Sequence, residues 1–124
     1  MARTASCACG SLRVVCAGEP TLVSLCHCLA CQRRTGSIYG VAAFFNRGAI
    51  RVEGPSKTYL RPSDSGSSVR FHVCPDCGST VFWEPQRKPE AIGVGVGCFA
   101  DPAFPAPTQA VFEQYRHAWV NDVG

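Results

Sequence analysis

Apolar and polar residues alternate, or run apolar over short stretches, along most of this chain. Segments 12–16, 21–25, 38–45, 49–53, 57–60, 69–73, 80–84 and 91–97 carry the period-two or continuous apolar pattern of half-buried and buried strands. Turn formers separate them: Gly18-Glu19-Pro20, Asn46-Arg47-Gly48, Gly54-Pro55, Pro62-Ser63-Asp64-Ser65-Gly66 and Pro85. Many short strands at this spacing predict a mainly β fold, a small domain of layered antiparallel sheets or a sandwich. Helical content is expected only in a short helix over 27–34 and a turn near 111–115. No composition shift divides the sequence, so one domain over 1–124 is expected, with a core of about 5–120 and a loop at 63–68.

The composition suits a globular core, with 46% hydrophobic and 17% charged residues in 124. No apolar run approaches the ~20 residues that span a bilayer, and residues 1–6 lead to Cys7 without a signal-peptide pattern. A cytoplasmic protein with reduced thiols and no membrane partner is the expectation. Nine cysteines cannot all pair internally.

Seven of the nine cysteines fall into tight groups: Cys7-Ala8-Cys9, Cys26-His27-Cys28-Leu29-Ala30-Cys31 and Cys74-Pro75-Asp76-Cys77. Thiolates one or two residues apart can grip one zinc from a tight turn, and two such knuckles complete a tetrahedral site. Cys9 and Cys77 are each followed by glycine, so Cys7, Cys9, Cys74 and Cys77 are paired as a closed structural site. That leaves Cys26, Cys28 and Cys31. Either they hold a second zinc with one open position, the arrangement of a working metal, or a fourth residue such as His27, His72 or Cys98 closes the site.

The remaining features have plainer readings beside sharper ones. The Cys74-x-x-Cys77 pair resembles a redox dithiol, but its surroundings read as strands, not as a βαβ unit. Cys16 and Cys98 read as packing residues, Cys98 with an option on lining the site. His27, between two ligands, points into a pocket or packs. Arg33 and Arg34 either complement the end of the helix or draw an acidic ligand to the trio. Net charge is +3 with thiols neutral, and a zinc-loaded chain comes to about zero. With no Lys/Arg stripe, nucleic acid is not an expected partner.

These motifs, taken together, resemble the glutathione-dependent formaldehyde-activating enzyme family, whose domain is shared with centromere protein V. The resemblance runs through Cys7-x-Cys9-Gly10, Cys26-His27-Cys28-x-x-Cys31-Gln32-Arg33-Arg34-x-Gly36 and Cys74-x-x-Cys77-Gly78-Ser79. It continues in Gly54-Pro55 with Tyr59, Gly97-x-Phe99-x-Asp101-Pro102 and His117-x-Trp119. It implies a β-tent-like fold with two zincs per chain: a structural ion on Cys7, Cys9, Cys74 and Cys77, and a catalytic ion on Cys26, Cys28 and Cys31. The implied reaction is a carbon–sulfur lyase reaction that condenses glutathione with formaldehyde to S-(hydroxymethyl)glutathione. A carrier that binds a small thiol without turnover, or a zinc-scaffolded protein-interaction module, would use the same residues.

Overall fold

The computed structural model describes residues 1–62 and 66–121. Its strands are β1 (Ala2–Ser6), β2 (Arg13–Ala17), β3 (Leu22–Cys26), β4 (Gly40–Asn46), β5 (Ile50–Glu53), β6 (Lys57–Pro62), β7 (Ser68–Val73), β8 (Thr80–Pro85), β9 (Ala91–Gly95) and β10 (Gln109–Val111). One α-helix, α1 (Leu29–Thr35), lies among the described residues, and it is far too short to cross a membrane.

The strands form two layers. A small sheet has the order β1-β2-β5, and a large one the order β10-β3-β4-β9-β8-β7-β6. Residue type decides which strands lie inside. In β2, Val14 and Cys16 are buried and their neighbours are not, so one face meets the core and the other meets water. β3, β8 and β9 are buried through Val23-Ser24-Leu25, Val81-Phe82-Trp83 and Ile92-Gly93-Val94, as continuous short runs require. β6 carries Lys57, Arg61 and Pro62 and is largely exposed, which suits the sheet edge it occupies. Ala5, Leu12, Val14 and Cys16 join Phe45, Val81, Val94 and Phe99 in one buried cluster that joins the layers.

The fold class is as the pattern predicts: mainly β, small and layered. Three local features differ. β1 is a strand although its residues show no apolar alternation, because β2 pairs with it along its whole length, from Ala2↔Ala17 to Ser6↔Arg13. β10 pairs parallel with β3, an exception to the antiparallel layers expected. The 91–97 strand stops at Gly95, and Val96–Phe99 turns as a 3-10 helix that brings Phe99 into the core. The expected turn near 111–115 is present as a 3-10 turn at Glu113–Tyr115. Of the expected 63–68 loop, 63–65 lie outside the described residues.

Candidate metal centres

All nine cysteines are free thiols, and seven of them meet in the two groups that the spacing picks out. The Sγ atoms of Cys7, Cys9, Cys74 and Cys77 all lie within 4.8 Å of one another. Cys7 and Cys9 sit in the β1–β2 connection, Cys74 and Cys77 in the β7–β8 connection, so this cluster joins the small sheet to the large one.

Each connection folds as the same kind of knuckle. The Cys7 and Cys74 N–H groups donate to the carbonyls of Leu12 and Ser79, and the Gly10 and Gly78 N–H groups reach back to Cys7 and Cys74. Both glycines adopt left-handed φ, +86° and +80°, which a side chain would strain. The Sγ–Sγ distances Cys7–Cys9 and Cys9–Cys74 are both 3.7 Å. A disulfide would need about 2.05 Å. A zinc tetrahedron with bonds of about 2.3 Å has edges of about 3.8 Å, so these thiols fit that ion.

Two serines, unforeseen from spacing, complete the cluster. The Ser11 hydroxyl lies 3.3 Å from Cys9 Sγ and 3.2 Å from Cys74 Sγ. The Ser79 hydroxyl lies 3.3 Å from Cys77 Sγ and accepts the Ala8 N–H at 3.0 Å, linking the knuckles. Hydrogen bonds from the Ser79 hydroxyl and backbone pull the Cys77 thiol down to about 5, close to the thiolate a metal takes. Burial works to raise Cys7, yet the Leu12 N–H, 3.3 Å from its sulfur, and the neighbouring thiols hold it down to about 7. The repeated Cys-Gly-Ser triplet was the available signal for both serines.

Cys26, Cys28 and Cys31 form the second group, again within 4.8 Å. Cys26 ends β3, Cys28 caps α1 and Cys31 lies in the helix's first turn. The Cys31 N–H donates to Cys28 Sγ at 3.3 Å, so the sulfur does the work of an N-cap oxygen. The strand end is held by β10, whose Val111 carbonyl accepts the His27 N–H. Gln32 fastens the helix to later chain: its Nε2 donates to the carbonyls of His27 and Tyr115, and its Oε1 lies 3.0 Å from His117 Nε2.

Left to themselves, these thiols divide their charge unequally. The hydrogen bond from Cys26, aided by Cys28 and Arg34 and opposed by burial, lowers Cys31 to about 5. Cys26 is driven up by that same bond to Cys31 and by burial. Three anionic sulfurs at this spacing need a cation among them.

No residue suggested as a fourth ligand joins the trio among the described residues. His27 is 1% exposed and packs edge-on against Tyr39 at 6.0 Å, its Nδ1 without a partner. His72 is engaged elsewhere, with Nε2 2.6 Å from Glu84 Oε2, Nδ1 3.0 Å from Ser56 Oγ and its ring stacked on Phe82. Cys98 Sγ faces the Thr80 carbonyl at 3.5 Å, and burial raises its pKa. Cys16 is fully buried, and burial pushes it up to about 11.

Space adjoins the trio on its helix. Ala30, Arg33 and Arg34 line a cavity of about 420 Å³ with Tyr59, Arg61, Phe71, Val73 and Thr80. A second of about 300 Å³, between Arg34, Tyr39, Gly40, Thr80 and the 95–98 turn, includes Cys98. Arg34 and Thr80 line both.

Comparison with known proteins agrees with this architecture. A family model described as glutathione-dependent formaldehyde-activating enzyme matches residues 2–115. Among curated proteins none matches significantly. A crystal structure of a Rhodobacter sphaeroides protein, a structural-genomics target, is similar with a TM-score of 0.61 and 22% identity. The similarity covers 86% of this chain and 98% of that one, and it concerns the fold.

Proposed function

The chain belongs to the glutathione-dependent formaldehyde-activating enzyme family, and from that membership we propose that it joins a small thiol, glutathione in the family reaction, to a small aldehyde such as formaldehyde. The observation that carries the reading is the contrast in ligand number: four sulfurs meet in one cluster and three in the other, with a cavity lined by Ala30, Arg33 and Arg34 of the helix that carries Cys31.

In this reading Cys7, Cys9, Cys74 and Cys77 would hold a structural zinc, and Cys26, Cys28 and Cys31 a second zinc with one position free. When bound there, zinc would supply a Lewis-acid position that favours the ionised form of a substrate thiol at neutral pH. The chain's own residues do the rest. The Cys31 N–H holds the Cys28 sulfur in place, and Gln32 and β10 fix the helix and strand that carry the trio. Arg34 lies beside Cys31 and offsets its negative charge. The substrate sulfur, having lost its proton to water, attacks the carbonyl carbon. A carbon–sulfur bond forms, the carbonyl π pair moves to oxygen, and oxygen takes up a proton, giving the S-hydroxyalkyl product. Water can supply that proton, so no side chain is assigned as its donor. Reduced thiols require a reducing compartment, which fits a cytosolic setting.

Proton NMR exchange between formaldehyde and glutathione at equilibrium tests the proposal. With zinc-loaded protein the exchange should exceed the uncatalysed rate in proportion to enzyme. Exchange at the uncatalysed rate with glutathione and with other small thiols would overturn it.

A further inference from the structure

The cavity on the trio's helix is walled by positive charge that no carboxylate among the described residues pairs with, Cys31 offsetting only part of that of Arg34. Arg33 and Arg34 enter it from α1 and Arg61 from β6. The ion pairs among the described residues engage Arg3, Arg13, Arg47, Arg51 and His72, and none of these three arginines. Arg34 Nε and Arg61 Nη1 are buried and lack any hydrogen-bond partner.

Aromatic rings hold the two guanidinium groups in place without satisfying them. The Arg34 guanidinium lies 4.6 Å from the Trp83 ring centre and 5.4 Å from that of Phe71, and the Arg61 group lies 4.8 Å from Phe71. Stacking leaves the N–H fork at the ring plane's edge free to donate. Phe71 and Trp83 are directly opposed on β7 and β8, so sheet register sets where both cations sit. On its other side Arg34 needs Gly40: a Cβ there would lie 2.8 Å from Arg34 Nη2 and 3.5 Å from Cys31 Cβ. Arg34 is thus wedged between the trio and the cavity.

Buried donors in a native structure have acceptors, and two like charges against one ring repel unless an anion joins them. A carboxylate is the planar partner that such forks bind with two hydrogen bonds. We propose that this cavity binds the carboxylate of an acidic thiol, with Arg34 and Arg61 as the residues that determine specificity. Ala30 and Arg33 present the same face of α1 to the cavity, so a substrate with its sulfur at the trio would lay its acidic group along this helix. The carboxylate assignment stands on the arginines alone; its link to sulfur rests on the function proposed above.

Titration calorimetry on the zinc-loaded protein separates the two. The probes are 3-mercaptopropionate, the neutral 3-mercaptopropanol and 3-(methylthio)propionate, whose sulfur is blocked. The acidic thiol should bind at least about ten-fold more tightly than the alcohol, the span of a charge-assisted hydrogen bond. Arg61→Met should abolish that preference while leaving the alcohol's affinity in place, and Arg61→Lys, which keeps charge but not the fork, should retain part of it. Equal affinity for acid and alcohol in the parent protein, or an undiminished preference in Arg61→Met, would overturn the proposal. The blocked acid should bind more weakly than the thiol but with the same dependence on Arg61. If it binds as tightly as the thiol, the carboxylate site stands and the thiol chemistry at the trio fails.

Discussion

The two cysteine clusters offer the same ligand atom from differently built surroundings. The four-sulfur cluster lies between two hairpins from different sheets, each with a glycine in left-handed φ, and two serine hydroxyls bond its sulfurs. The three-sulfur cluster lies at one strand end and the start of one helix, with no hydroxyl among the described residues bonded to its sulfurs and a basic cavity along that helix. The first spends its ligands on joining distant chain. The second draws all three from six consecutive residues, so the fold does not depend on it for long-range connection. In the function proposed above, what separates a staple from a workplace is where the ligands come from.

The sharpest way to break this contrast is to remove one ligand from each side. Cys74→Ser should detach the sheets at one end, with a loss of about 4 kcal/mol or more in unfolding free energy measured by denaturant titration. Cys28→Ser should cost no more than about 1 kcal/mol, because serine can keep the N-cap bond to the Cys31 N–H. The same variant should return thiol–formaldehyde exchange to the uncatalysed rate. If Cys28→Ser unfolds the protein as readily as Cys74→Ser, the division of labour is wrong.

Ser79→Ala sharpens the comparison at smaller scale. It removes the hydroxyl from Cys77 Sγ and from the Ala8 N–H. The expected loss is about 1 kcal/mol in stability, or roughly ten-fold in zinc affinity at the four-sulfur site, read by chelator competition. Affinity at the three-sulfur site should not change.

The smallest effect isolates acid sensitivity that belongs to neither cluster. Glu84 is held below the ordinary carboxylate range first by His72 and then by Arg47. The folded chain therefore binds that proton less readily than the unfolded chain. The stability this contributes is present above the ordinary glutamate pKa of about 4.3 and is lost as pH falls through the lower folded value. Parent protein and Glu84→Gln should differ above pH ~5 and converge as pH drops below ~4 in thermal melts. A constant difference across that window would show that Glu84 does not supply it.

Much of this was legible in the chain because the relevant information is local. Strand periodicity, turn residues and cysteine spacing lie within a few residues of one another, and they set the layers and the two groups of ligands. β1 was not legible: Ala5 is the one residue it buries, and its pairing comes from β2. β10 is three residues long, and its partner lies more than eighty positions earlier. The cavity is the plainest case. Arg61, Phe71 and Trp83 come together through the register of β6, β7 and β8, and no spacing within the sequence encodes that meeting. Arg33 and Arg34 stood out in the sequence, but their environment did not. Ser11 and Ser79 could have been picked out by the repeated Cys-Gly-Ser triplet, whose role depends on two knuckles facing one another.

The most direct test counts metal ions on the folded chain by native mass spectrometry of reduced, purified protein. The account predicts two zinc ions on the parent chain and one on Cys28→Ser, with the fold intact in both. A folded parent chain that carries no metal, or a Cys28→Ser chain that still carries two, would contradict it.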